Sequence, residues 1–277
     1  MKLRAFIQQY PVAIYFGLAF LISYGAFMAV AGPQLIHREG MLPTDAAFLV
    51  PVIVVTVCLL GIVLTRIVDG KSGLRDLFAR AGRWRVSVIW YTVALLMCPV
   101  LMLAMLLALS ALVSPDFAPS LFPLGIVFGL LSGFLEDIGW MGYAFPRMAL
   151  KRSALSRALL LGVLWGLWHT PVVAASHGVY WLPFFLTFVA SVVAMRVLIV
   201  WIYSNTGSLL LAQVMHASFS ITLVTITPLH VSLAPDTLRY ALYAALLWVV
   251  VALVVARYGK HLVLHSGQVQ VRGPFSD

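Results

Sequence analysis

Apolar residues in this chain come in unbroken runs, without the alternation of a half-buried strand, and the runs are separated by short stretches rich in Gly, Pro, Lys and Arg. Eight runs are long enough to cross ~30 Å of hydrocarbon as helices: 11–32, 46–66, 88–113, 121–142, 157–176, 181–203, 207–227 and 237–256. Breakers at Gly32-Pro33, Gly70 to Gly73, Ser114-Pro115 and Thr227-Pro228 mark their ends, and no polar linker divides the set into two cores. The pattern predicts an all-α fold: one polytopic membrane helix bundle of about eight transmembrane helices over residues 1–260, followed by a short tail, 261–277.

Composition agrees. Hydrophobic residues make up 62% and charged residues 10%, against roughly 25% charged in soluble domains. The net charge of +9 does not imply a nucleic-acid partner, because the basic residues sit in short loops and form no continuous face. Lys2, Arg4, the cluster from Arg66 to Arg85, the cluster from Arg147 to Arg157, and Arg257, Lys260 and Arg272 fall on one side; Arg38 and Arg239 fall on the other. The positive-inside rule therefore predicts cytosolic N- and C-termini. The loop 66–85 also suits anionic lipid headgroups. The first run is longer than the ~7–15 residues of a signal core, which predicts a retained helix. Cys58 and Cys98 lie within spans without C-x-x-C spacing, so neither a disulfide nor a thiolate metal site is expected.

Glu136 and Asp137 change the picture, as the only acids inside any apolar run. A carboxylate at mid-membrane costs ~2.5–3.5 kcal/mol, so an adjacent pair calls for a partner, a wet cavity or a function. His169, Arg196 and His216 are the other embedded ionisable residues. Glu136, His169 and His216 each lie 11 or 12 residues from a cytosolic flank, ~17 Å along a helix, and so share one level. Small residues lead to each: Gly125, Gly129 and Gly133 before Asp137, Gly162 and Gly166 before His169, and Ser208 and Ala212 before His216 with Ser220 after it. Such rows let membrane helices approach closely, which predicts that the fourth, fifth and seventh helices form the packed core. Arg196 suits a structural counter-ion for Glu136 or Asp137, or a side chain snorkelling to the cytosol. The tryptophans read as packing or interface aromatics.

Two chemistries suit these groups. Glu136 and His169 could activate water while His216 and a neighbouring donor stabilise an oxyanion, or Glu136, His169 and His216 could be three ligands of a catalytic zinc ion, Zn2+, with water in the fourth position. Neither H-E-x-x-H nor G-x-S-x-G is present. A proton-coupled transporter would also use such groups, but its broken helices would recur in both halves, whereas the polar groups here cluster after residue 130.

These residues resemble the CPBP family of membrane-embedded CAAX proteases, bacteriocin-processing proteins and abortive-infection proteins, with motifs E-E-x-x-x-R, F-x-x-x-H and H-x-x-x-N. Glu136-Asp137 with the following IGWMGYAFPR looks like the first motif, Trp165 to His169 (WGLWH) like the second, and Trp201 to His216 (WIYSNTGSLLLAQVMH) like the third. The likeness covers about 121–220, within a core of 121–225, and the basic GKSGLRDLFARAGRWRV is also family-like. It implies an intramembrane endopeptidase acting on a membrane-associated or transmembrane peptide or protein among membrane lipids. Glu136 and His169 would activate water, and His216 would hold an oxyanion or a metal. In eukaryotes the family removes the last three residues of prenylated CAAX proteins. Three positions depart from the motifs: Asp137 replaces Glu, Met141 replaces Arg, and Ser220 replaces Asn. Arg196 could restore the missing cation. A non-catalytic immunity or scaffold protein on the same fold is the alternative.

Overall fold

A computed structural model of the chain describes residues 2–36, 43–149, 152–177, 181–228 and 232–264. The predicted tail from 265 onward, including Arg272, lies outside the described residues, as do Arg38 and Lys151. The elements in order are α1 (Lys2–Gln9), α2 (Pro11–Ile36), α3 (Pro43–Ala81), α4 (Val88–Leu112), a two-residue strand β1 (Ser120–Leu121), α5 (Leu124–Leu131), two π-helical segments (Ser132–Glu136 and Ile138–Ala144), α6 (Phe145–Arg147), α7 (Ala154–Trp168), α8 (Thr170–His177), α9 (Trp181–Thr206), α10 (Leu209–Thr225), β2 (Ile226–Thr227) and α11 (Leu233–Tyr258). β1 and β2 pair antiparallel, Ser120 opposite Thr227, and tie the start of the acidic helix to the end of α10.

Among the described residues, six helices are long and apolar enough to cross a membrane alone, and a seventh span forms if α7 and α8, bent by 46° at their junction, are taken together. The remaining predicted run is α10, a shorter apolar helix of 17 residues. The chain is a multi-pass membrane protein with an all-α bundle. Its central helix is α9, buried on every side from Ser191 to Ile202, as expected of a helix apolar all round.

Two local readings change. Residues 66–81 are not a loop: α3 continues to Ala81 across a break at Gly70, whose φ of 74° is the left-handed region glycine tolerates. Beyond the break Leu77 is fully buried, and Arg80 donates to the Tyr203 hydroxyl and the Gly142 carbonyl, so an amphipathic turn docks where a solvated loop was expected. Arg239 falls inside the predicted run 237–256. It lies within α11, 3% exposed, paired with Asp236 at 2.7 Å. The predicted unbroken helix over 121–142 instead starts at Leu124 and widens into π-helix around the acids.

The small-residue rows decide the packing, though not all as predicted. A Cβ on Gly125 would meet Thr225 Oγ1 at 2.6 Å, and Cβ atoms on Gly129 and Gly133 would collide with Ile221 and Ala217. The acidic helix thus lies against α10 along 217, 221 and 225, one residue round from the predicted row through His216 and Ser220. That offset leaves His216 free to face the acids. Gly162 and Gly166 pack instead on Val193 and Val189 of α9. Gly133→Leu is expected to drive the acidic helix off α10 and to cost at least ~1–3 kcal/mol, the range of ordinary overpacking. Unfolding in detergent micelles measures this, and a variant as stable as wild type would contradict the contact.

Candidate active site

The acidic pair owes its orientation to the π-helical backbone. Adjacent residues on a regular helix diverge by about 100°, and π-bulges, which add a residue to a turn, recur at functional sites. Here Glu136 ends one π segment and Asp137 precedes the next. Both are buried, at 2% and 0% exposure, and both face α10. The helix is pressed inward from its other side as well. A Cβ on Gly61 of α3 would meet the Gly139 Cα at 2.8 Å, and one on Gly139 would collide with the Tyr15 hydroxyl.

His216 stands between the two acids. Its Nε2 lies 4.0 Å from Glu136 Oε2 and its Nδ1 3.4 Å from Asp137 Oδ1. Arg196, fully buried on α9, donates from Nη1 to Asp137 Oδ1 at 2.7 Å and is not within ion-pair distance of Glu136. Of the roles open to Arg196, pairing with Asp137 is the one formed, and snorkelling is not. Met141 is buried and carries no charge to the site, so the guanidinium reaches the acids from a different helix. One cation facing two carboxylates leaves Glu136 to be held by neutral donors. Trp140 Nε1 and Trp165 Nε1 both donate to its Oε2, at 3.1 and 2.9 Å.

His169 sits at the break between α7 and α8. Its Nδ1 lies 2.8 Å from the Trp165 carbonyl. A carbonyl only accepts, so Nδ1 carries the proton and Nε2 is the basic nitrogen. The break is stabilised from α2: Tyr24 donates to the Leu167 carbonyl at 2.7 Å and Trp168 to the Ser23 hydroxyl at 2.9 Å. Ser220, one turn beyond His216, is half-buried and hydrogen-bonded to neither acid nor either histidine.

As arranged, Glu136, His169 and His216 do not fit a zinc ion. Among the described residues no three His, Cys, Asp or Glu side chains are placed to hold a metal. The tryptophans are what the sequence reading missed. Trp140 follows Glu136 by four residues and Trp165 precedes His169 by four, a helical spacing that places each beside its partner.

Residues 118–222 match the family described as type II CAAX prenyl endopeptidase Rce1-like. The chain is also similar to CAAX prenyl protease 2 of Methanococcus maripaludis, 32% identical over 110 residues that cover 37% of this chain and 39% of that protein. The matched stretch carries Glu136, Asp137, His169, Arg196 and His216, and over it the chain is similar to that family.

Proposed function

We propose that this chain is an intramembrane endopeptidase of the CAAX-protease type, with both termini in the cytosol, cleaving a membrane-associated peptide by water that Glu136 and His169 activate. The observation that carries the reading is that His216 faces two buried carboxylates, one of them paired with a buried guanidinium, while Trp165 links Glu136 to His169, so that four helical segments supply the cluster. A bundle serving only as scaffold has no need of so many buried ionisable groups, each costly to desolvate.

In this mechanism Glu136 takes a proton from water as the water oxygen attacks the scissile carbonyl carbon. His169 Nε2 helps to orient that water. His216 donates toward the oxyanion of the tetrahedral intermediate. Glu136 then returns the proton to the amide nitrogen as the C–N bond breaks, giving a carboxylic acid and an amine. Asp137, held by Arg196, keeps His216 oriented. Ser220 is the candidate second oxyanion donor, with a shorter reach than an amide side chain.

The test uses purified protein in liposomes with two peptides of one sequence ending in a CAAX box, one farnesylated and one not, with products identified by mass. Release of the terminal tripeptide from the farnesylated peptide alone is the expected result. Cleavage of neither, with wild type and Glu136→Ala indistinguishable, would favour a non-catalytic protein. Because the donors do not converge on a metal position, exhaustive chelation is expected to leave hydrolysis unchanged; loss on chelation and recovery with added zinc would restore the metal mechanism.

A further inference from the structure

We propose that Trp165 is a positioning residue that holds the base, the histidine tautomer and the buried cation in one register, so that Oε1 of Glu136 and Nε2 of His169 are the atoms left to the water. The proposal rests on the peptidase reading for its kinetic consequence, while its geometric content stands apart from it.

Trp165 touches more of the site than any catalytic candidate does. Its indole N–H donates to Glu136 Oε2 at 2.9 Å, and its carbonyl receives His169 Nδ1 at 2.8 Å. The ring centroid lies 4.7 Å from that of His216, nearly perpendicular at 76°, and the Arg196 guanidinium carbon sits 4.1 Å from the same centroid. The side chain is 2% exposed. The two glycines that bracket it along α7 make this possible. A Cβ on Gly162 would meet Val193 Cα at 2.8 Å and Arg196 Cβ at 3.2 Å, and one on Gly166 would meet the Val189 side chain at 3.0 Å. α7 therefore lies close on α9, and the indole lies against the guanidinium.

The chemistry follows from an indole being a donor only. Trp165 and Trp140 both occupy Oε2, so Oε1 carries no hydrogen bond among the described residues and is the oxygen left to take a proton from water. A hydrogen bond donated by the imidazole Nδ1–H to the Trp165 carbonyl leaves Nε2 with the histidine lone pair. One residue thereby selects both basic atoms. Its cation–π contact also restrains the arginine whose other partner is Asp137.

The test has one arm that needs no substrate. In protein labelled with 15N at its eight tryptophans, the indole resonance lost in Trp165→Phe identifies Trp165, and that lost in Trp140→Phe identifies Trp140. Glu136→Ala is expected to move both resonances and to leave those of residues remote from the site in place. Both resonances unmoved would overturn the proposal even in a protein that folds normally.

The second arm measures cleavage of the farnesylated peptide. Trp165→Phe, which keeps the ring and removes the donor, is expected to lower kcat about 10- to 100-fold, as loss of a charge-assisted hydrogen bond does, with KM unchanged. Unchanged kcat, or a loss confined to KM, would overturn the positioning role. If wild type cleaves nothing, the peptidase reading fails, and the indole shifts still decide whether the clamp exists.

Discussion

Glu136→Gln is expected to abolish measurable hydrolysis, lowering turnover by about 10²–10⁴-fold, the range that general acid–base catalysis contributes, while the protein stays folded. The amide keeps the volume of the carboxylate and can still accept the indole hydrogen bonds through its carbonyl oxygen, so the surrounding packing of Trp140, Trp165 and Phe16 has no reason to change. It cannot take a proton from water at neutral pH. His169→Gln should show a loss of the same order, because it removes the lone pair at Nε2. The two together should cost little more than either alone, since groups that act as a unit are not additive. Turnover rates with the farnesylated peptide, alongside unfolding curves, check this. A Glu136→Gln protein that still cleaves at close to the wild-type rate would remove Glu136 from the reaction.

The second large effect concerns stability. Arg196 and Asp137 are both fully buried, and Arg196 Nη1 donates to Asp137 Oδ1 at 2.7 Å. Deleting one partner of such a pair leaves an uncompensated charge in low dielectric, a loss of about 3–5 kcal/mol. Arg196→Met should therefore be severely destabilised in micelles, and the double variant Arg196→Met with Asp137→Asn should recover most of the loss, because no charge is then stranded. If the single and double variants unfold alike, the guanidinium contributes by packing on Trp165 and not by pairing with Asp137. The same cycle, read as activity, separates holding from chemistry: the double variant should fold and still turn over slowly, because Asp137 then no longer orients His216.

How much of this was legible in the sequence depended on whether a feature is local. Most of the spans were, six or seven of the eight expected, because crossing a bilayer demands long apolar runs whatever their neighbours do. The approach of His216 to Glu136, 4.0 Å apart, was also legible, because rise per residue converts a count from the membrane flank into depth. The direction of each side chain was not. The row predicted through His216 and Ser220 packs one residue away, along Ala217, Ile221 and Thr225, since rotation about a helix axis is set by the facing glycines and not by the helix itself. The segment after Gly70 read as a polar loop because its charges dominate its composition, yet Leu77 and Arg80 find partners on two other helices that no local window contains.

Local pattern established that the chain spans the membrane several times, that its two embedded acids require partners, and which histidines and arginine are embedded with them. The pairings came from the packing of helices against one another. Arg196 went to Asp137, Glu136 to two indoles, and His169 to a carbonyl at a helix break. The physical reason is that depth follows from one helix alone, whereas a hydrogen bond needs two groups within about 3 Å and correctly aimed. Aim depends on the π-helical turn around Glu136 and on glycine contacts between α5 and α10 and between α7 and α9, and those are settled by helices far apart in the sequence.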